Sequence, residues 1–321
     1  MHRLQVVGRK DERKNGTTQE RHGIRLRRFA GSALYSDLLT RPVRVAHLTD
    51  MHVGLVTPMK VQAAAVDIVN REKPDLVVIT GDFVCHSHAF LEDLADIMRR
   101  FEVPVFGVLG NHDYWAGAPG VRAALRRGGV ELLSNQSTVI EVRGQKLQLI
   151  GLDDAYTGHA DRMKALKGIS RALPTLGLSH IAEEADGLWA QGVPLVLSGH
   201  THGGQLTVAR LNELTLGRIG GHRYVHGLYG TRFARAHEAR GAVYVGAGLG
   251  AAVVPFRVGD RGNREIAIFE LGMRPGELDE HHAEQPALNP PRAIGEELAR
   301  ALAHERFLAR RKRRFRAPRE A

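Results

Sequence analysis

The chain has 321 residues, 43% hydrophobic and 25% charged, with 45 Lys plus Arg against 35 Asp plus Glu and a formal net charge of +10. Residues 1–30 carry nine basic and three acidic side chains, residues 306–321 eight and one, and residues 31–305 28 and 31. The positive excess therefore sits on the two ends, which argues against a uniformly basic nucleic-acid-binding domain. The single cysteine, Cys85, excludes an intramolecular disulfide framework and any cysteine-based zinc site.

Residues 1–21 are polar and aperiodic and read as a disordered basic extension. Arg27-Arg28-Phe29 resembles a twin-arginine signal, but the Ala30–Asp37 stretch is too short and polar for an export segment. No run approaches the roughly 20 apolar residues that cross a bilayer. A cytoplasmic location is expected, with peripheral contact at the inner membrane surface as a further option.

From 22 to 272 short apolar runs alternate with helical segments. The runs are Val43–Leu48, Leu76–Thr80, Val103–Leu109, Lys146–Leu152, Thr175–Ser179, Pro194–Ser198, Ala242–Val245 and Glu265–Leu271. Most are four to eight residues long and rich in Val, Ile and Leu, as in strands buried on both faces. Pro58–Arg71 and Phe90–Phe101 are helical candidates, and strands alternating with helices predict a layered α/β fold. Residues 273–292, with Pro275, Pro286, Pro290 and Pro291, read as an extended linker. Residues 293–321 read as a basic helical tail, either solvated or attracted to anionic lipid head groups or nucleic acid.

Five of the apolar runs end in clusters of Asp, His and Asn. These are Asp50-Met51-His52, Gly81-Asp82, Gly110-Asn111-His112-Asp113, Ser179-His180 and Gly199-His200-Thr201-His202. Ligands of an open α/β sheet bind outside the carboxyl ends of its strands, so these clusters are expected to converge. Imidazole, carboxylate and amide donors without thiolate fit two adjacent divalent metals sharing a carboxylate. Two such ions roughly 3.5–4 Å apart clamp the attacking and leaving oxygens of a phosphoryl displacement. On an extended strand end, Asp50 and His52, like His200 and His202, point the same way. Gly81, Gly110 and Gly199 each precede a ligand candidate, where a tight turn or a close backbone approach is expected.

The ordered series D-x-H, G-D, G-N-H-D, H and G-H-x-H resembles the calcineurin-like metallophosphoesterase superfamily over about residues 40–272. His200–Gln205, Gly246–Gly250 and Pro255-Phe256-Arg257 are similar to a bacterial branch with membrane-associated phosphodiesterases and UDP-diacylglucosamine pyrophosphatases. The resemblance implies an α/β/β/α sandwich that cleaves a phosphodiester or pyrophosphate bond by attack of metal-bound hydroxide. It implies that Asp50, His52 and His202 hold one metal, that Asn111, His180 and His200 hold the second, and that Asp82 bridges them. Manganese, iron and zinc remain open as the two ions. His112 would act on the substrate phosphate as general acid or charge stabiliser, with Asp113 orienting it. Asn263-Arg264-Glu265 stands where relatives often carry Pro-Glu, which leaves the local loop geometry open.

Two other functions remain in view: a lipid-precursor pyrophosphatase acting at the membrane surface on a lipid-linked phosphoester, and a metal-binding scaffold without catalysis. The mildly acidic body argues against nucleic acid as partner. Around the motifs, His86 and His88 could line a pocket mouth or start a helix, and Cys85 suits a small packed side chain. His159, His222 and His226 are open between substrate contact and solvent. Asp153 and Asp154 suit caps better than an acid/base pair. Tyr114 and Trp115 could stack on substrate or pack.

Overall fold

The structure, a computed structural model, describes residues 17–85, 87–204, 221–235, 237–251 and 263–290. His86, Gln205, Pro255-Phe256-Arg257 and the tail at 293–321 lie outside the described residues.

One sheet has seven strands in the order β1 (Thr17–Gln19), β2 (Ile24–Ala30), β13 (Arg264–Leu271), β3 (Val43–Leu48), β4 (Leu76–Thr80), β5 (Val105–Val108) and β6 (Val130–Leu132). The second has six: β11 (Gly227–Gly230), β12 (Ala242–Val245), β10 (Leu195–Ser198), β9 (Thr175–Leu178), β8 (Gln145–Gly151) and β7 (Gln136–Val142). β3 to β6 run parallel, as do β8, β9, β10 and β12. Parallel strands place all their carboxyl ends on one edge, which is what brings distant motifs together.

Side-chain alternation builds the layers. In β3 and β4, Val43, Val45, Leu76 and Val78 face the second sheet, which meets them with Leu149, Leu176, Leu178, Leu195 and Leu197. The intervening Ala46, Leu48, Val77 and Ile79 pack beneath α2 (Met59–Glu72), α3 (Leu91–Met98) and α4 (Asn111–Arg127). Behind the second sheet, Ile150, Val196, Val243 and Val245 pack against α6 (Ala185–Trp189). A strand with period-two side chains and two covered faces must be apolar throughout, hence the continuous runs in the sequence. The architecture is the layered α/β/β/α sandwich, with short α1 (Ala33–Leu38) and α5 (Arg162–Ala165) at its margins.

Two boundaries differ from expectation. Thr17–Gln19 pairs antiparallel with β2, so the body begins inside the expected 1–21 extension. Residues 273–290 are not an extended linker but a strap fastened to the body. Glu280 and Glu284 both pair with the nearly buried Arg232, Glu280 accepts from the Ala30 amide, and Gln285 exchanges backbone hydrogen bonds with Leu228 and Gly230. The ion pairs, invisible to composition, hold it down. No helix among the described residues is long and apolar enough to cross a membrane.

Candidate metal centre

The centre lies where both sheets end. Asp50 and His52 follow β3, Asp82 follows β4, and Asn111 and His112 open α4 after β5. His180 follows β9, and His200 and His202 follow β10. The strand ends are stitched together by Asp50 N donating to Gly81 O, His52 N to Asp82 O, and Gly199 N to His180 O.

The local backbone departs from the expected extended form. Of nine described non-glycine residues with positive φ, five are Asp50 (49°), His52 (45°), Asp82 (53°), His200 (75°) and His202 (52°). Side-chain convergence here comes from left-handed turns rather than strand alternation. Each such conformation costs of order 1–3 kcal/mol and persists where surrounding contacts over-determine it. Close approach explains the glycines: a Cβ on Gly199 would collide with Thr49 and Asp50, and one on Gly110 with the Asp82 carboxylate.

Two groups of donor atoms result. In the first, His52 Nε2 stands 3.1 Å from His202 Nε2, 3.9 Å from Asp50 Oδ1 and 3.6 Å from Asp82 Oδ2, while His202 Nε2 stands 3.4 Å from Asp50 Oδ1. In the second, Asn111 Oδ1 lies 3.1 Å from His180 Nε2 and 3.0 Å from His200 Nδ1. His180 Nε2 stands 3.3 Å from His200 Nδ1 and 3.4 Å from Asp82 Oδ2. An ion held about 2.1 Å from nitrogen and oxygen donors separates neighbouring donors by roughly 3.0–3.4 Å, close to both groups. Asp50 Oδ1 is also buried without a hydrogen-bond partner, as suits an oxygen reserved for a cation. The cluster is therefore able to hold metal.

Its electrostatics agree. Burial raises the Asp82 carboxyl, but the charges of His180, His112 and His52 outweigh that and hold it well below the usual range. Burial lowers His52 and His200, leaving the neutral imidazole that binds metals. Burial also lowers His180, yet Asp82 outweighs it and lifts the ring to about 10. His180 Nδ1 donates to Thr80 O at 2.8 Å, which turns Nε2 toward Asp82 and Asn111.

His112 and Asp113 do not form the expected pair. His112 Nε2 reaches 4.0 Å from Asp82 Oδ2, and its amide donates to Asp82 Oδ1. The hydrogen bonds of Asp113 go to backbone: Oδ1 accepts from Phe83 N and Val84 N, and Oδ2 from Gly110 N. Asp113 is thus the capping carboxylate of α4, tying the Asp82 loop to the helix start, a role its third position in the helix could have suggested.

The remaining candidates divide. Cys85 lies with His52 and His112 within a 4.8 Å group, and His222 stands 5.8 Å from His200, ring to ring. His159 is exposed and stacks on Tyr114, and His88 packs against Gly117. Asp153 pairs with Arg122, and Asp154 caps its own turn through Thr157. His226 belongs to a separate buried group with Glu265, His282 and Arg27 that sequence reading missed; its members come from four distant segments and share no spacing.

The calcineurin-like phosphoesterase family model matches residues 43–204, half of the chain. Phosphodiesterase YaeI of Escherichia coli is 28% identical over 211 residues, 63% of this chain and 77% of that protein. A metallophosphoesterase of Aquifex aeolicus is 33% identical over 175 residues, 51% of this chain and 64% of that protein. A transmembrane protein with metallophosphoesterase domain of Danio rerio is 32% identical over 235 residues, 68% of this chain and 51% of that protein. The chain thus spans less than two thirds of the latter two relatives. With the donor cluster of His and Asp at the strand ends, the match makes this chain a member of the calcineurin-like phosphoesterase family and a metal-dependent phosphoester hydrolase.

Proposed function

We propose that the chain hydrolyses a phosphodiester or pyrophosphate bond at two divalent metal ions. The observation that carries this reading is the place of Asp82 Oδ2, 3.6 Å from His52 Nε2 on one side and 3.4 Å from His180 Nε2 on the other. One carboxylate oxygen thereby belongs to both donor groups. Asp50, His52, His202 and Asp82 would hold one ion, and Asn111, His180, His200 and Asp82 the other. A donor set of imidazole, carboxylate and amide oxygen suits manganese, iron or zinc. The name of the Escherichia coli relative favours a diester.

Two divalent ions supply charge that stabilises the attacking and leaving oxygens of an in-line displacement. The chain's residues do the rest. Asp82 would help hold both ions through Oδ2, and its Oδ1 accepts from the His112 amide at 2.8 Å. His112, 9% exposed at the mouth of the centre, holds a proton at Nε2 for the substrate's phosphoryl or leaving oxygen. Asp113 keeps the helix start in register with the Asp82 loop.

The test is hydrolysis of an aryl phosphodiester with added manganese, read together with bound metal. Asp82→Ala is expected to lose both metal and activity. His112→Ala is expected to keep its metal while kcat falls by about 10²–10⁴-fold, the range for a lost general acid. Equal activity in both variants and the unmodified chain overturns the assignment.

A further inference from the structure

The fold treats the two oxygens of the Asp50 carboxylate differently. Oδ2 accepts from Thr49 Oγ1 at 2.8 Å and from the His200 amide at 3.0 Å. Oδ1 has no hydrogen-bond partner among the described residues and faces His202 Nε2 at 3.4 Å and His52 Nε2 at 3.9 Å. A carboxylate has about four acceptor positions, so so complete a division needs a cause. The cause lies in Thr49, the residue before Asp50, which is itself buried.

The Thr49 side chain is held on several sides. Its methyl packs against Gly246, where a Cβ would come within 3.0 Å of it, and Gly199 passes so close that a Cβ there would collide with Oγ1. Its backbone carbonyl accepts from Leu249 N at 3.1 Å. A β-branched side chain has little χ1 freedom to begin with, so this packing fixes where the hydroxyl points. Oγ1 stands 3.0 Å from a second acceptor, the Thr80 carbonyl, while the Thr80 hydroxyl meets His47 Nε2 at 2.8 Å. One hydroxyl hydrogen therefore has two acceptors. A bond to an ionised carboxylate is roughly twice as strong as one between neutral groups, and the Asp50 distance is the shorter, so Asp50 takes the hydrogen. His180 Nδ1 keeps its own 2.8 Å bond to Thr80 O whichever way the hydroxyl turns.

We propose that Thr49 is a positioning residue for the first metal ion: its hydroxyl clamps Asp50 Oδ2 and so reserves Oδ1 for the cation. The inference rests on the two-ion reading for where that ion sits. The His200 amide alone does not suffice, because the terminal torsion of an aspartate is soft and one donor leaves the carboxylate free to pivot. Outer partners of this kind change metal affinity by about 10–100-fold when they are removed. Thr49 stands beside the D-x-H motif but outside it, and touches no atom that would react.

The experiment is a calorimetric titration of the full chain with manganese in two backgrounds. H180A keeps the first donor group whole, and H202A keeps the second. T49S and T49A are compared in each, since these two variants differ by one hydroxyl. In H180A, T49A is expected to weaken manganese binding by about 10–100-fold, whereas T49S stays close to its parent. In H202A neither substitution shifts the affinity. With both donor groups intact, T49A is expected to weaken one of the two binding steps and T49S neither. Equal binding by T49A and T49S overturns the role of Thr49. Equal weakening by T49A in both backgrounds also overturns it, because a merely loosened strand end would affect both ions alike. Since the titration needs no turnover, a chain that shows the expected order yet cleaves no ester refutes the hydrolase reading and leaves the role of Thr49 standing.

Discussion

The Asp82 carboxylate, at the end of β4, stands 3.4 Å from His180 Nε2, at the end of β9, and so joins the two sheets across the centre. Removing His180 takes one donor from the second group and leaves the first whole. His180→Ala is expected to bind one equivalent of metal and the unmodified chain two. Activity should fall by at least about 100-fold, the lower end of the loss when one pre-organised charge-stabilising element is removed. Elemental analysis beside a diester assay checks this; two ions retained in the variant would contradict the grouping.

Asp113 supplies the second prediction. Its carboxylate accepts from three backbone amides, those of Phe83, Val84 and Gly110. Asp113→Ala leaves three buried donors unpaired at about 1–3 kcal/mol each, so a loss of about 3 kcal/mol or more is expected in denaturant unfolding. His112→Ala, whose ring makes none of these bonds, should unfold close to the unmodified chain. Comparable destabilisation of the two variants would return Asp113 to the role of a partner for the imidazole.

A third prediction concerns Arg27 and Glu265, an ion pair with side chains 1% and 2% exposed that links β2 to β13. The same carboxylate accepts from the Tyr244 hydroxyl and faces His226 Nε2 at 3.2 Å. Glu265→Leu removes the buried carboxylate that meets Arg27, the Tyr244 hydroxyl and His226, and is expected to cost about 3–5 kcal/mol. The double variant Arg27→Leu/Glu265→Leu should recover much of that loss, since neither member of the pair is then buried without the other. A double-mutant cycle in urea measures the difference, and additive losses would show that the two side chains act independently.

How much of this was legible in the sequence depends on what marks each element. β4 and β10 lie where continuous Val, Ile and Leu runs predict them, because burial on both faces disfavours polar interruptions, whereas β3 keeps its pattern around Arg44 and His47. The motif segments share one edge because parallel strands end together, and the left-handed turns that follow bring their side chains to one point. β2 escaped notice because Arg25, Arg27 and Arg28 interrupt its apolar pattern. Arg27 is buried by a partner 238 residues away, and no local window can show that. β7, an edge strand with Gln136 and Glu141 exposed, alternates too weakly to stand out. The strap at 273–290 was hidden for the same reason as β2, since Arg232 and its glutamates pair over about 50 residues.

The last prediction concerns acid stability. His47, on β3, is buried with Nε2 2.8 Å from Thr80 Oγ1, and burial lowers its pKa to about 3 despite the opposing charge of Glu265. The unfolded ring keeps a pKa of about 6.5. Between those values the unfolded chain holds a proton that the folded chain lacks, so acid favours unfolding. The penalty is absent above about pH 6.5 and grows by about 1.4 kcal/mol per pH unit below it, until the folded ring also titrates near 3. Urea unfolding from pH 7.5 to 5 should therefore give a steeper decline for the unmodified chain than for His47→Asn, which has no imidazole to protonate. The gap between the two slopes is expected to approach one proton below pH 6. Parallel slopes would mean that His47 keeps its proton in the fold, with Glu265 outweighing the burial that separates the ring from water.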